Sequence, residues 1–107
     1  MFGSEIRKFR KLSLDNQVYA LCLVAREQIP IIIVLSWMQT AKGSELSGEE
    51  TIKITKIFEK CKAKVDWGNA TRNSPIIESL GISVEDVKKI VTKAALKKLE
   101  EKFGKPW

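Results

Sequence analysis

An all-α single domain of about five helices is what this sequence predicts, and three observations carry that expectation. Helix-capping and helix-ending residues recur along the whole chain, at Ser13, Gly43, Ser47, Gly81, Ser83 and Gly104. Apolar residues repeat at helical spacing in Ile54, Ile57, Phe58, Cys61 and Val65, which share one face of a helix at about 100° per residue. The β-branched run from Ile31 to Leu35 has strand propensity, yet a second buried strand before it would need a turn inside AREQIP, which lacks Gly, Asn and Asp. With 107 residues, 44% of them hydrophobic, the chain is long enough to bury one core and too short for two, so residues 1–107 are expected to form one domain.

Residues 1–12 read as a basic N-terminal arm. Arg7, Lys8, Arg10 and Lys11 stand against Glu5 alone, with Phe2 and Phe9 interleaved. Such an arm suits phosphates, and the alternative is that its phenylalanines only anchor a solvated terminus to the core. Ser13 caps a helix expected to run to about Gln28, with Asp15 near its positive end. Val18 to Ala25 is apolar on every face, which predicts the central helix. Pro30 breaks it and serves as an early residue of the next helix, which ends at Gly43.

Gly43 to Gly48 is the clearest internal loop and leads into Ser47-Gly48-Glu49-Glu50, a capping box. The helix it starts carries the core stripe given above. Beside that stripe Lys53, Lys56, Lys60 and Lys64 form a second, narrow one. Aligned lysines repel one another unless they face solvent or anions, so the row suits either a solvated face or a phosphate backbone. Asp66 to Arg72 is a polar loop whose Trp67 is expected to cover the core. Asn73 or Ser74 then caps a short helix beginning at Pro75, and a long helix runs from about Val84 to Gly104.

The segment joining these last two helices, SPIIESLGISVEDVKKIV, resembles the helix-turn-helix of DNA-binding proteins over residues 73–92. The turn reads Leu80-Gly81-Ile82-Ser83, and apolar residues occupy the positions five and one before the glycine and one, six and nine after it: Ile76, Leu80, Ile82, Val87 and Ile90. The resemblance is to a motif and extends to no family over the whole chain. It implies that Ser83, Val84, Glu85, Lys88, Lys89 and Thr92 turn toward duplex DNA, the lysines suiting phosphates or guanine edges. Three residues depart from the pattern. Ile77 falls where such motifs place a small residue, and Glu85 and Asp86 bring negative charge to the end that meets DNA.

Along the long helix the apolar face drifts. Val84, Val87, Ile90, Val91 and Ala94 share one side, whereas Leu96, Leu99 and Phe103 lie roughly 130° away. Leu96, Leu99, Phe103 and Trp107 therefore suit a homodimer or partner interface, or a fold back over the first helix. Lys89, Lys93 and Lys97 make a polar row that solvent alone explains.

Composition narrows the function classes. Nineteen Lys and Arg against thirteen Asp and Glu give a net charge of +6, which favours polyanionic partners. Histidine is absent, and Cys22 and Cys61 lack metal-ligand spacing, so no metal or cofactor is expected and both thiols read as buried. Without histidine, a phosphate-cradling glycine loop or paired carboxylates in an apolar setting, no enzyme and no small-molecule substrate are expected. The apolar stretch from Val18 to Met38 carries Arg26, Glu27 and Gln28 at its centre, where each charge costs about 2.5 to 3.5 kcal/mol in a bilayer, so no membrane span is expected. MFGSEIRKFRK lacks the apolar region of a signal peptide, and an intracellular protein, cytoplasmic or at the nucleoid or nucleus, is the expectation. The leading functional expectation is a nucleic-acid-binding protein, on duplex DNA. The alternative is a small helical subunit or adaptor making protein contacts within a larger assembly.

Overall fold

The described residues form six helices, one more than expected. A computed structural model describes residues 3–25, 27–67 and 70–103, with the side chains at 3, 70, 71, 74 and 95–103 left out. The helices are α1 (Gly3–Arg10), α2 (Leu14–Leu23), α3 (Ile31–Lys42), α4 (Gly48–Lys64), α5 (Ala70–Ser79) and α6 (Val84–Phe103).

The additional helix is α1, formed from residues expected to be an arm. Ile6 and Phe9, three apart and so on one face, are both buried. Two polar side chains then fix its C-terminal end. Gln17 Nε2 donates to the carbonyls of Phe9 and Leu12, both at 3.1 Å, tying the end of the helix and the residues after it to the start of α2. Arg10 Nε donates to Ala41 O at 2.6 Å and Nη2 to Lys42 O at 3.0 Å, so an α1 side chain caps the C-terminus of α3.

Ser13 caps α2 as expected, its Oγ accepting from Asn16 N at 3.2 Å. Val18, Ala20, Leu21, Cys22 and Leu23 are all buried, which makes α2 the central helix. It stops at Leu23, short of the expected Gln28, because the chain tightens there: Ala25 N bonds back to Cys22 O, three residues earlier. The β-branched run is helical. Pro30 precedes α3 in extended conformation, and Val34, Met38 and Ala41 at spacings of four and three bury one face. Gly43 ends the helix at φ +85°, the left-handed conformation that favours glycine, with its N–H on Gln39 O at 2.8 Å.

The capping box of α4 is complete: Glu50 N donates to Ser47 Oγ at 3.1 Å and Ser47 N to Glu50 Oε1 at 3.0 Å. Ile54, Ile57, Phe58, Cys61 and Val65 are all buried, as the periodicity requires. Trp67 packs on this core, edge-on to Phe58 at 6.5 Å between centroids.

At α5 the structure corrects the expectation. The helix starts at Ala70 and contains Pro75 within it, so neither Asn73 nor Ser74 caps it. Asn73 instead is buried and its Nδ2 donates to Asp66 O at 2.8 Å, tying the preceding loop to the helix. Ser83 caps α6 as expected, accepting from Asp86 N at 3.1 Å.

One hydrophobic cluster joins these elements. α2 packs against α3, α4, α5 and α6, while α3 packs against α1, α2, α4 and α6, so the α2–α3 pair is what α4 and α6 both pack on. The Cα radius of gyration of 13.3 Å fits a single compact globule of this length. Among the described residues no helix is long and apolar enough to cross a membrane.

Candidate nucleic-acid interface

Gly81 takes φ +88° between α5 and α6, as the turn of the motif requires. Ile82, Val87 and Ile90 are buried and Leu80 packs on the core, in agreement with four of the five apolar positions. The fifth is overturned: Ile76 is 46% exposed, and its neighbour Ile77 is fully buried. The inner face of α5 is therefore turned by one residue, about 100°, relative to the motif's pattern. Asn73 and Ile77, four apart, set that face by packing inward, and the bulky side chain at Ile77 becomes core.

On α6, Ser83, Glu85, Lys88, Lys89 and Thr92 are all exposed, with Val84 half-buried. Both hydroxyls are occupied locally, Ser83 by the cap and Thr92 by Lys88 O at 2.9 Å. The lysines have carboxylate neighbours. Lys88 Nζ lies 3.8 Å from Glu85, and Lys89 Nζ lies 3.5 Å from Glu5 of α1. A second cross-pair joins Lys8 Nζ to Asp86 at 3.3 Å. Residue 5 facing 89 and residue 8 facing 86 set α1 antiparallel to α6. Glu5 and Asp86 are largely covered at this seam, whereas Lys8 and Lys89 stay more than half exposed. The Glu5 carboxyl is held below the usual carboxylate range by a backbone hydrogen bond, against the opposing effect of desolvation, with further help from Lys89.

The α1–α6 seam thus gathers two groups that the sequence keeps some eighty residues apart. Lys8 of the former arm pairs across it, Lys89 answers from α6 with Lys88 next to it in sequence, and Lys93 lines the same seam. Arg7 is exposed elsewhere along the same short helix, and Lys11 just past its end. Arg10 is directed away from the seam, since two of its nitrogens hold the end of α3.

The α4 row stands on a helix that packs against α2 and α3, and Lys53, Lys56, Lys60 and Lys64 are all exposed on it. Lys53 pairs with Glu49 at 3.3 Å, and neighbouring Lys62 lies 3.7 Å from Glu59 and 5.8 Å above the Phe58 ring. The side chains of Leu96, Leu99 and Phe103, and the whole of Trp107, lie outside the described residues.

No protein-family model, curated protein or solved structure matches this chain. Its chemistry is therefore read from its own residues. Cys22 and Cys61 are buried free thiols in one cluster, and a hydrogen bond with Cys61 together with burial pushes the Cys22 thiol up, away from thiolate reactivity. Among the described residues no group of three His, Cys, Asp or Glu could hold a metal ion. Sequence reading missed Arg10 as a helix cap and Glu5 as the partner of Lys89. No local signal marks either, because each acts on a residue distant in the chain.

Proposed function

We propose that the protein binds nucleic acid, as duplex DNA, through the α1–α6 face. The observation that carries this reading is the docking of the basic helix α1 alongside the second helix of a helix-turn-helix-like corner. In this reading Lys88 and Lys89 sit at the groove on the phosphates of its edge, and Lys8 and Lys11 contact the phosphates of a flanking strand. The ion pairs already present do not oppose this strongly. Lys8 and Lys89 keep more than half of their side chains exposed within these pairs, so each ammonium can meet a phosphate without leaving its carboxylate. Glu85, 78% exposed, is placed to accept from a cytosine amino group. In this reading the α4 row is left to solvent, since its ion pairs stay within one helix and gather no basic group from a second.

Fluorescence anisotropy with a short labelled duplex tests the reading. Binding is expected at low salt, with log K falling linearly in log salt between about 50 and 200 mM. Absence of any salt-dependent binding would overturn it.

A second reading has one observation in its favour. Ile76, which the motif buries, is exposed on α5 beside exposed Pro75, and this suits a helical subunit or adaptor docking a partner protein, or a second copy, on that corner. Light scattering over a concentration series reads a homodimer directly.

A further inference from the structure

A cleft of about 370 Å³ opens where α1 and α3 end and α2 and α4 begin. This lies at the lower end of the volumes of small-molecule sites. We propose that it binds a small amphipathic monoanion, a carboxylate on an apolar body.

The walls favour the apolar body. Leu14 and Leu46 are half-buried along them, while Phe9 and Met38, already buried, close the floor beneath. Covering what Leu14 and Leu46 still expose is favourable for a hydrocarbon that fits, at about 25 cal/mol per Å² of apolar area removed from water.

The rim demands the charge. Two helix C-termini and two N-termini meet at the cleft, so their opposite half-charges cancel in pairs. What remains is side-chain charge: Arg10 and Lys42 against Glu50. One positive charge is in surplus. Glu50 stays ionised, since hydrogen bonds from Lys42 Nζ at 2.6 Å and Ser47 N at 3.0 Å hold its carboxyl at about 2. A monoanion neutralises the surplus, whereas a dianion overshoots it and lacks the body that the walls favour.

Hydrogen-bonding capacity is left over at the same place. Arg10 uses Nε and Nη2 on the end of α3, and Nη1 makes no hydrogen bond among the described residues. These bonds hold the guanidinium in place, so binding an anion costs little further ordering of that side chain. Gln17 directs its amide nitrogen at three carbonyls of residues 9–12, which leaves Oε1 without a hydrogen bond among the described residues, available to a bound water or hydroxyl.

The site is separate from the α1–α6 surface and does not depend on the DNA reading. A ¹H–¹⁵N titration of the full chain at neutral pH, with octanoate as probe and octylammonium as its charge-reversed counterpart, tests it. Octanoate is expected to give saturable shifts confined to Arg10, Gln17, Lys42, Leu46 and their neighbours, with a Kd of about 1 mM or tighter. Octylammonium is expected to bind on the order of tenfold more weakly, one surplus charge being worth about that factor near a protein surface. Leu46→Glu, a loop substitution at the mouth, is expected to weaken octanoate by a similar factor. Failure of saturation by about 10 mM, equal binding of the two probes, or shifts centred elsewhere would overturn the assignment. If Leu46→Glu disturbs the fold, the comparison of the two probes on the unaltered chain decides alone.

Discussion

The α1–α6 face and the outer face of α4 both present rows of exposed lysines, yet their surroundings differ. On α4, carboxylates stand one turn away on the same helix, as in Lys53 with Glu49 and Lys62 with Glu59. Such pairs decorate one helix and add a few tenths of a kcal/mol to it. At the seam, Lys8 with Asp86 and Lys89 with Glu5 join two helices, with the carboxylates largely covered and the ammonium groups outside. These pairs fix how two basic segments lie relative to each other. A row of like charge on a single helix can be solvation alone, whereas basic groups from two helices held at one seam form a surface of defined shape.

The largest expected effect concerns whether α1 is fixed at all. Phe9 is 1% exposed, and Phe9→Ala should cost about 3 to 5 kcal/mol in urea unfolding. A loss below about 1 kcal/mol would return α1 to a loosely held arm and dissolve the contrast between the faces. The turned register of α5 comes next. Ile77→Ala should cost about 2 to 5 kcal/mol, and Ile76→Ala should stay within about 0.5 kcal/mol. Similar losses at both positions would restore the motif's usual pattern. On binding, the combined change of Lys8, Lys88 and Lys89 to Gln should weaken a duplex on the order of tenfold or more at low salt, with near-ultraviolet circular dichroism retained.

A smaller effect is read against pH. The Glu50 carboxyl is held at about 2, well below the ordinary value of 4.5, first by Lys42 and then by the Ser47 backbone. A depressed folded-state value means that its stabilisation is fully present above the unfolded value and is lost as pH falls toward the folded one. Thermal unfolding of the parent chain and of Glu50→Gln should therefore differ by a constant amount above about pH 5 and converge toward about pH 2. A gap that stays constant throughout that range would mean that the carboxylate's charge contributes nothing.

Much of this fold is legible in the sequence because its signals are local. Ser13, the Ser47–Glu50 box, Gly43, Gly81 and the α4 core stripe each act within a few residues, and the structure has them where their spacing puts them. What escapes is decided at a distance. Helix α1 has only Ile6 and Phe9 to mark it, and its anchor from Arg10 reaches a carbonyl 31 residues away. Pro75 has the local chemistry of a helix start, but burial of Asn73 and Ile77 extends α5 back to Ala70. At the candidate interface the sequence marks the lysines one by one. The pairing of Glu5 with Lys89, 84 residues apart, makes one surface of them, and it becomes visible only when α1 is folded and docked.

The claim that the α1–α6 face carries binding is tested most directly by the slope of log K against log salt for duplex DNA, compared between two triple variants. Changing Lys8, Lys88 and Lys89 to Gln should flatten the slope by about 3, and changing Lys56, Lys60 and Lys64 to Gln should leave it as it was. An unchanged slope in the first variant with a flattened one in the second would place the binding surface on α4 and contradict the account.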